Sequence, residues 1–217
     1  MKNKIIFLIL FLALVLSYIL GTIIAKGLIK DKNINIDNFK INQETDKSKN
    51  TSYKYIAIQG GLFKNKDNAN KVFEKLKPYG APFIIEENGS FRVLLGFFSE
   101  SKAEAIKEKM NKDNVANSKI VYEIKEDNLC DEELGKIIDG LIQIQENLVS
   151  DNISAVKTDE FKKWLKELKQ IDSSSKNYKS LNDLKSLVNS MGDKLTKDEL
   201  EKYNKSIYQV SGSFKSK

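Results

Sequence analysis

Short runs rich in apolar and aromatic residues over 53–59, 83–86, 91–95 and 120–124 predict four β-strands. Between them the spacing changes to that of a helix. It predicts amphipathic helices over 66–77, with Ala69, Val72, Phe73 and Leu76 inward, and over 101–110, with Ala103, Ile106 and Met110 inward. Pro78, Gly80 and Pro82 end the first helix, and Asn88-Gly89 is the turn of a tight hairpin. The two halves repeat: Gly61-Leu62-Phe63 with Ala69 returns 35 residues later as Gly96-Phe97-Phe98 with Ala103.

The order strand, helix, strand, strand, helix, strand is that of an α+β, ferredoxin-like βαββαβ unit, two helices on one face of a four-stranded sheet. Side chains alternate along a strand, so parity assigns the faces. Ile56, Ile58, Phe91, Val93 and Leu95 fall on the helix-covered side. Tyr55, Ala57, Gln59, Ser90, Arg92 and Leu94 fall on the other side, expected to be an open face suited to binding.

The flanking stretches follow different patterns. Residues 5–25 carry no charge, and 21 residues at about 1.5 Å each make a helix of about 31 Å, close to the roughly 30 Å of a bilayer core. The stretch exceeds the apolar region of a cleaved signal peptide, and its exit, Ile23-Ile24-Ala25, lacks the small residue such cleavage needs. Residues 1–25 are therefore expected to be one transmembrane anchor to the cytoplasmic membrane. Lys2 and Lys4 on one flank face Lys26, Lys30 and Lys32 on the other, so charge leaves the orientation open. Residues 26–52 are polar and read as a flexible linker, which delimits the α+β domain to 53–125.

Residues 126–217 are expected to be a small all-α region. Apolar stripes at Leu134, Ile137, Ile138, Leu141 and Leu148, at Phe161, Trp164, Leu165 and Leu168, at Tyr178, Leu181, Leu184 and Val188, and at Leu200, Tyr203 and Ile207 predict three or four helices. Thr196 and Glu199 form a capping box before the last, while Gly135 and Gly140 weaken the first. Stripes this narrow need to pack together as a bundle or against a partner protein.

Composition removes whole classes of chemistry. The chain has no histidine and one cysteine, Cys130, so His-based nucleophile activation, His-ligated zinc and internal disulfides are all absent, and no metal or cofactor is expected. Cys130 reads as an inert thiol. The net charge of +6 is not gathered into a run of five or more like charges, which does not mark a nucleic-acid footprint. Arg92 is the one arginine among 36 basic residues, placed in mid-strand where a planar bidentate donor differs most from lysine.

Tyr55 to Phe63 followed by Asn68-Ala69, then Phe91-Arg92-Val93-Leu94-Leu95-Gly96-Phe97-Phe98 followed by Ala103-Glu104-Ala105, resemble the SPOR domain over 53–124. Leu62 stands where the family pattern has serine, and Phe97 where it has proline. The resemblance implies a septal peptidoglycan-binding module that takes denuded glycan strands, and with the anchor it implies a membrane protein whose residues 26–217 are extracytoplasmic. It puts Gln59 and Arg92 at the binding motif, with Tyr55, Ser90, Leu62 and Leu94 around them. Stripping a stem peptide leaves a lactyl carboxylate, which a guanidinium holds through two parallel hydrogen bonds.

The expected function is thus non-catalytic glycan binding at sites of wall remodelling in division or sporulation. The alternative is a peptidoglycan-cleaving enzyme that uses this domain for targeting, with Glu132, Glu133 or Glu160 as its acid. An RNA-binding sheet is disfavoured, since Tyr55 is the one aromatic residue on the open side.

Overall fold

The computed structural model describes residues 33–34, 52–150 and 153–214. Strand β1 (Asn33–Ile34) is followed by β2 (Ser52–Phe63), helix α1 (Lys66–Leu76), β3 (Phe83–Glu87), β4 (Ser90–Phe98), α2 (Glu100–Lys112) and β5 (Ser118–Lys125). Then come α3 (Leu129–Leu148), β6 (Ala155–Lys157), α4 (Asp159–Glu167), α5 (Tyr178–Asn189), β7 (Lys194–Thr196) and α6 (Leu200–Ser211). The predicted order of strands and helices over 53–125 is realised, with β2 and β4 central in a sheet ordered β3-β4-β2-β5. Asn88 and Gly89 both take positive φ, as the hairpin between β3 and β4 requires.

Helices α1 and α2 cover one face of the sheet. Ile56, Ile58, Val93, Leu95 and Phe98 pack there with Ala69, Leu76, Ala103, Ile106 and Met110. Gly60 lies opposite α1, where an added Cβ would sit 2.7 Å from Leu76. This face is the one strand parity assigns to the helices.

The other face differs from expectation. Instead of lying open, it is roofed by the C-terminal region, and Tyr55, Ala57, Leu94, Phe97, Tyr122 and Ile124 share one core with Leu134, Ile137, Ile138, Leu141 and helices α4 to α6. The physical reason is the composition of α3, in which Ile142 and Ile144 are buried beside the predicted stripe. These two widen the apolar stripe to nearly half of the helix surface, more than one neighbour covers. One side of α3 meets the sheet and the others meet α5 and the β6 segment. The narrow stripes therefore pack against this chain's own sheet.

Local devices fix α3 in place. Gly135 lets it approach β2 so closely that a Cβ there would lie 2.0 Å from the Tyr53 ring. At the other end, Gln145 Nε2 donates to the Phe97 carbonyl. The Glu146 carboxylate accepts from both the backbone N–H (2.6 Å) and the hydroxyl (2.7 Å) of Ser99, at the start of α2. Strand parity breaks at Gly96, which has φ 148° and faces Gln145, so that Gly96 and Phe97 both turn towards α3.

The four C-terminal helices fall where the stripes put them, and the capping box of Thr196 and Glu199 forms before α6. Two short strands that the stripes did not foretell, β6 and β7, pair antiparallel among them. Two residues of the stretch read as linker, Asn33–Ile34, pair in parallel with β6.

The membrane expectation is corrected. No helix among the described residues is long and apolar enough to cross a membrane, and residues 5–25, on which that expectation fell, lie outside them. The transmembrane anchor, the single-pass topology and the extracytoplasmic, septal placement built on it fall with that expectation.

Candidate functional site

The roof formed by the C-terminal region stops short of one end of the sheet. Between β3, β4 and α6 it leaves a cleft of about 860 Å³, lined among others by Lys66, Ile85, Arg92, Tyr122, Lys205 and Tyr208. That volume lies within the range of small-ligand sites.

Arg92 sits at its centre because β4 places it opposite Ile85 of β3 and Leu62 of β2, on the face away from α1 and α2. Its side chain is 16% exposed. Arg92 Nε donates to Glu87 Oε1 at 2.7 Å, and Arg92 Nη1 donates to Gln59 Oε1. Both Glu87 oxygens accept from the Tyr208 hydroxyl at 3.0 Å. A relay thus runs from Tyr208 through Glu87 and Arg92 to Gln59.

Partial burial works against the charge of Arg92, but the hydrogen bond and charge of Glu87 outweigh it and raise its pKa. The guanidinium is held charged and oriented, as charge-assisted pairs do. Gln59 spends its oxygen on Arg92, which turns its amide group outward, where Ser118 Oγ is a weak partner at 3.5 Å.

The six sequence-predicted site residues divide. Gln59 and Arg92 are half-buried and joined by a hydrogen bond. Leu62 is 51% exposed beside Arg92. Tyr55, Leu94 and Ser90 are buried, so as surface contacts these three are corrected. Tyr55 stacks on Tyr122 at 5.4 Å and meets Phe97 edge-on at 5.9 Å. Its hydroxyl lies 2.8 Å from Ser211 Oγ; since Ser211 already donates to the Ile207 carbonyl, Tyr55 is the donor.

Sequence reasoning missed Glu87, Lys205 and Tyr208. Glu87 was legible as the residue closing the Asn88-Gly89 hairpin beside β4, whereas the two α6 residues reach the sheet from about 120 positions away and carried no local signal. The glutamates proposed for a lytic role are elsewhere and engaged: Glu132 and Glu133 with Lys136, Glu160 with Lys163. Among the described residues no group of three or more acidic or cysteine side chains could hold a metal ion.

Sheet order and the two-helix face define an α+β domain of the ferredoxin-like βαββαβ type. Residues 52–121 match the family model described as the SPOR domain. No curated protein matches the chain. The chain is also similar to a solution structure, that of the peptidoglycan binding domain of the B. subtilis cell wall lytic enzyme CwlC. There the identity is 21%, the TM-score is 0.30, and the match covers 34% of this chain and 95% of that one.

Proposed function

We propose that this protein binds the glycan strands of peptidoglycan through its SPOR domain, without cleaving them, at the cleft centred on Arg92. The observation that supports this reading most is a charged guanidinium held in a cleft by Glu87 and Gln59, on the stretch that matches the SPOR family. Donors of Arg92 not turned to those partners face a ligand carboxylate of the lactyl kind. Gln59 offers its amide hydrogens to acetamido or hydroxyl oxygens. Leu62 adds an exposed apolar side chain next to them.

The covered sheet face changes how such a ligand is held. Tyr55, Ala57 and Leu94 are unavailable, so the glycan meets the end of the sheet and not its middle. Binding without catalysis is favoured by the placement of Glu132, Glu133 and Glu160 in ion pairs with lysines, away from the cleft.

Arg92→Ala is expected to abolish pull-down of the full chain by amidase-treated cell wall while the far-ultraviolet circular dichroism stays unchanged. Retained binding would place the site elsewhere. A zymogram on purified wall is expected to show no lytic band, and a clear band would make the protein an enzyme.

A further inference from the structure

Helix α6 lies wholly outside the stretch that matches the SPOR family, yet it forms a wall of the Arg92 cleft. We propose that α6 is part of the glycan site: Lys205 is a second cation that contacts the ligand's carboxylate, and Tyr208 positions Arg92 by holding Glu87. This rests on the glycan-binding reading above and adds to it a contribution from the C-terminal region.

Two independent features of α6 carry the inference. Lys205 lines the cleft, and its ammonium pairs with Glu201 on the same helix at 2.7 Å, where both side chains are more than two-fifths exposed. An exposed pair one turn apart is weak and yields readily to a stronger anion. Lys66 lines the cleft too, from the start of α1. A carboxylate in the cleft therefore meets cations from three elements, while Glu86 and Glu87 supply the negative charge.

Tyr208 acts through Glu87. Its hydroxyl is shared by the two carboxylate oxygens, one of which also takes the Arg92 Nε hydrogen. Burial and the neighbouring Glu87 raise the Tyr208 pKa, so the hydroxyl remains a donor throughout the physiological range. Without it, the carboxylate draws the guanidinium into a fuller, bidentate pairing. Arg92 would then be withdrawn from the ligand. Tyr208 is a positioning residue in this scheme, and Glu87 is the lever.

The test is quantitative binding of the full chain to amidase-treated peptidoglycan at two salt concentrations. Lys205→Gln is expected to weaken binding on the order of fivefold at low salt and to flatten the salt dependence. Lys202→Gln, on the same helix but not lining the cleft, is expected to change neither. Tyr208→Phe is expected to weaken binding to a similar degree, and adding Glu87→Gln to it is expected to restore most of the affinity, because the competing carboxylate charge is then gone. A residue with a merely structural role would show no such rescue.

Outcomes separate cleanly. If Arg92→Ala abolishes binding while Lys205→Gln and Tyr208→Phe bind as the unmodified chain does, the glycan reading stands and the role of α6 is overturned. Loss in Tyr208→Phe without rescue by Glu87→Gln overturns the positioning role, and Lys205→Gln, a surface change that leaves the fold intact, still decides whether α6 touches ligand. No binding by the unmodified chain overturns both.

Discussion

Phe97 stands where the SPOR pattern has proline, and its surroundings explain the exchange. The ring is fully buried between Tyr55, Phe83 and Tyr122, and its carbonyl accepts from Gln145 of α3. An aromatic residue there serves the covering of the sheet and not the ligand. Phe97→Ala is expected to cost about 3–5 kcal/mol, read as a lower urea midpoint with unchanged slope; a change under about 1 kcal/mol would show that the interface is loosely packed. The departure was visible in the sequence, but its meaning was not, because nothing local says which partner an extra ring will meet.

Buried tyrosines give the same interface a pH signature. Burial raises the pKa of Tyr55 strongly, the Ser211 hydrogen bond notwithstanding, and pushes Tyr122 up to about 12. A raised pKa means that the folded state holds the proton more tightly than the unfolded one, whose tyrosines titrate near about 10. That stability is fully present below pH 10 and is lost as pH rises towards 12. Urea midpoints measured from pH 9 to 12 should therefore fall steeply, and less steeply in Tyr122→Phe; parallel curves for the two proteins would contradict burial of that hydroxyl.

At the scale of elements, the strands and the helices of 53–125 were legible because short apolar and aromatic runs alternate with stretches of helical period, with Gly, Pro and Asn turns between several of them. Tyr55 and Leu94 were assigned to the correct face of the sheet, opposite α1 and α2. What failed was the inference that a face without those two helices is open. Helix α3 held the missing signal: Ile142 and Ile144 flank the main stripe and widen its apolar face to nearly half of the helix, more than a single neighbour covers. Gly135 carried a second, since it reads as a weak point of a helix and proves to be the site of closest approach to Tyr53.

Gly135→Ala sets two effects against each other. Alanine favours the helix by about 1 kcal/mol, while forcing a methyl group into the Tyr53 ring costs about 1–3 kcal/mol. With a contact of 2.0 Å to ring carbons near the backbone, overpacking wins, and the thermal midpoint is expected to drop. A rise would mean that α3 does not lie against β2. Cys130, buried near the start of α3 with its thiol pKa raised by burial, is expected to resist thiol reagents until the protein unfolds.

For the molecule as a whole, the sheet separates two cores, one closed by α1 and α2 and the other shared between the strands matched by the SPOR family and the C-terminal helices. Excising 52–125 exposes Tyr55, Ala57, Leu94, Phe97, Tyr122 and Ile124 together. Such a fragment is expected to bind a hydrophobic dye and to associate, whereas the full chain unfolds in a single transition by both circular dichroism and tryptophan fluorescence from Trp164. Two separated transitions would mean that the helices and the sheet are independent.

The Arg92 cleft is what this shared core leaves for a ligand, and residue-resolved NMR titration of the full chain with amidase-derived glycan fragments tests that most directly. Shifts are expected at Gln59, Leu62, Glu87, Arg92, Lys205 and Tyr208, with the amides of Ala57 and Ile124 unmoved. Saturable shifts centred on Ala57 and Ile124, with the cleft residues silent, would show that glycan reaches the face of the sheet that α3 and α6 cover here, and would contradict the account.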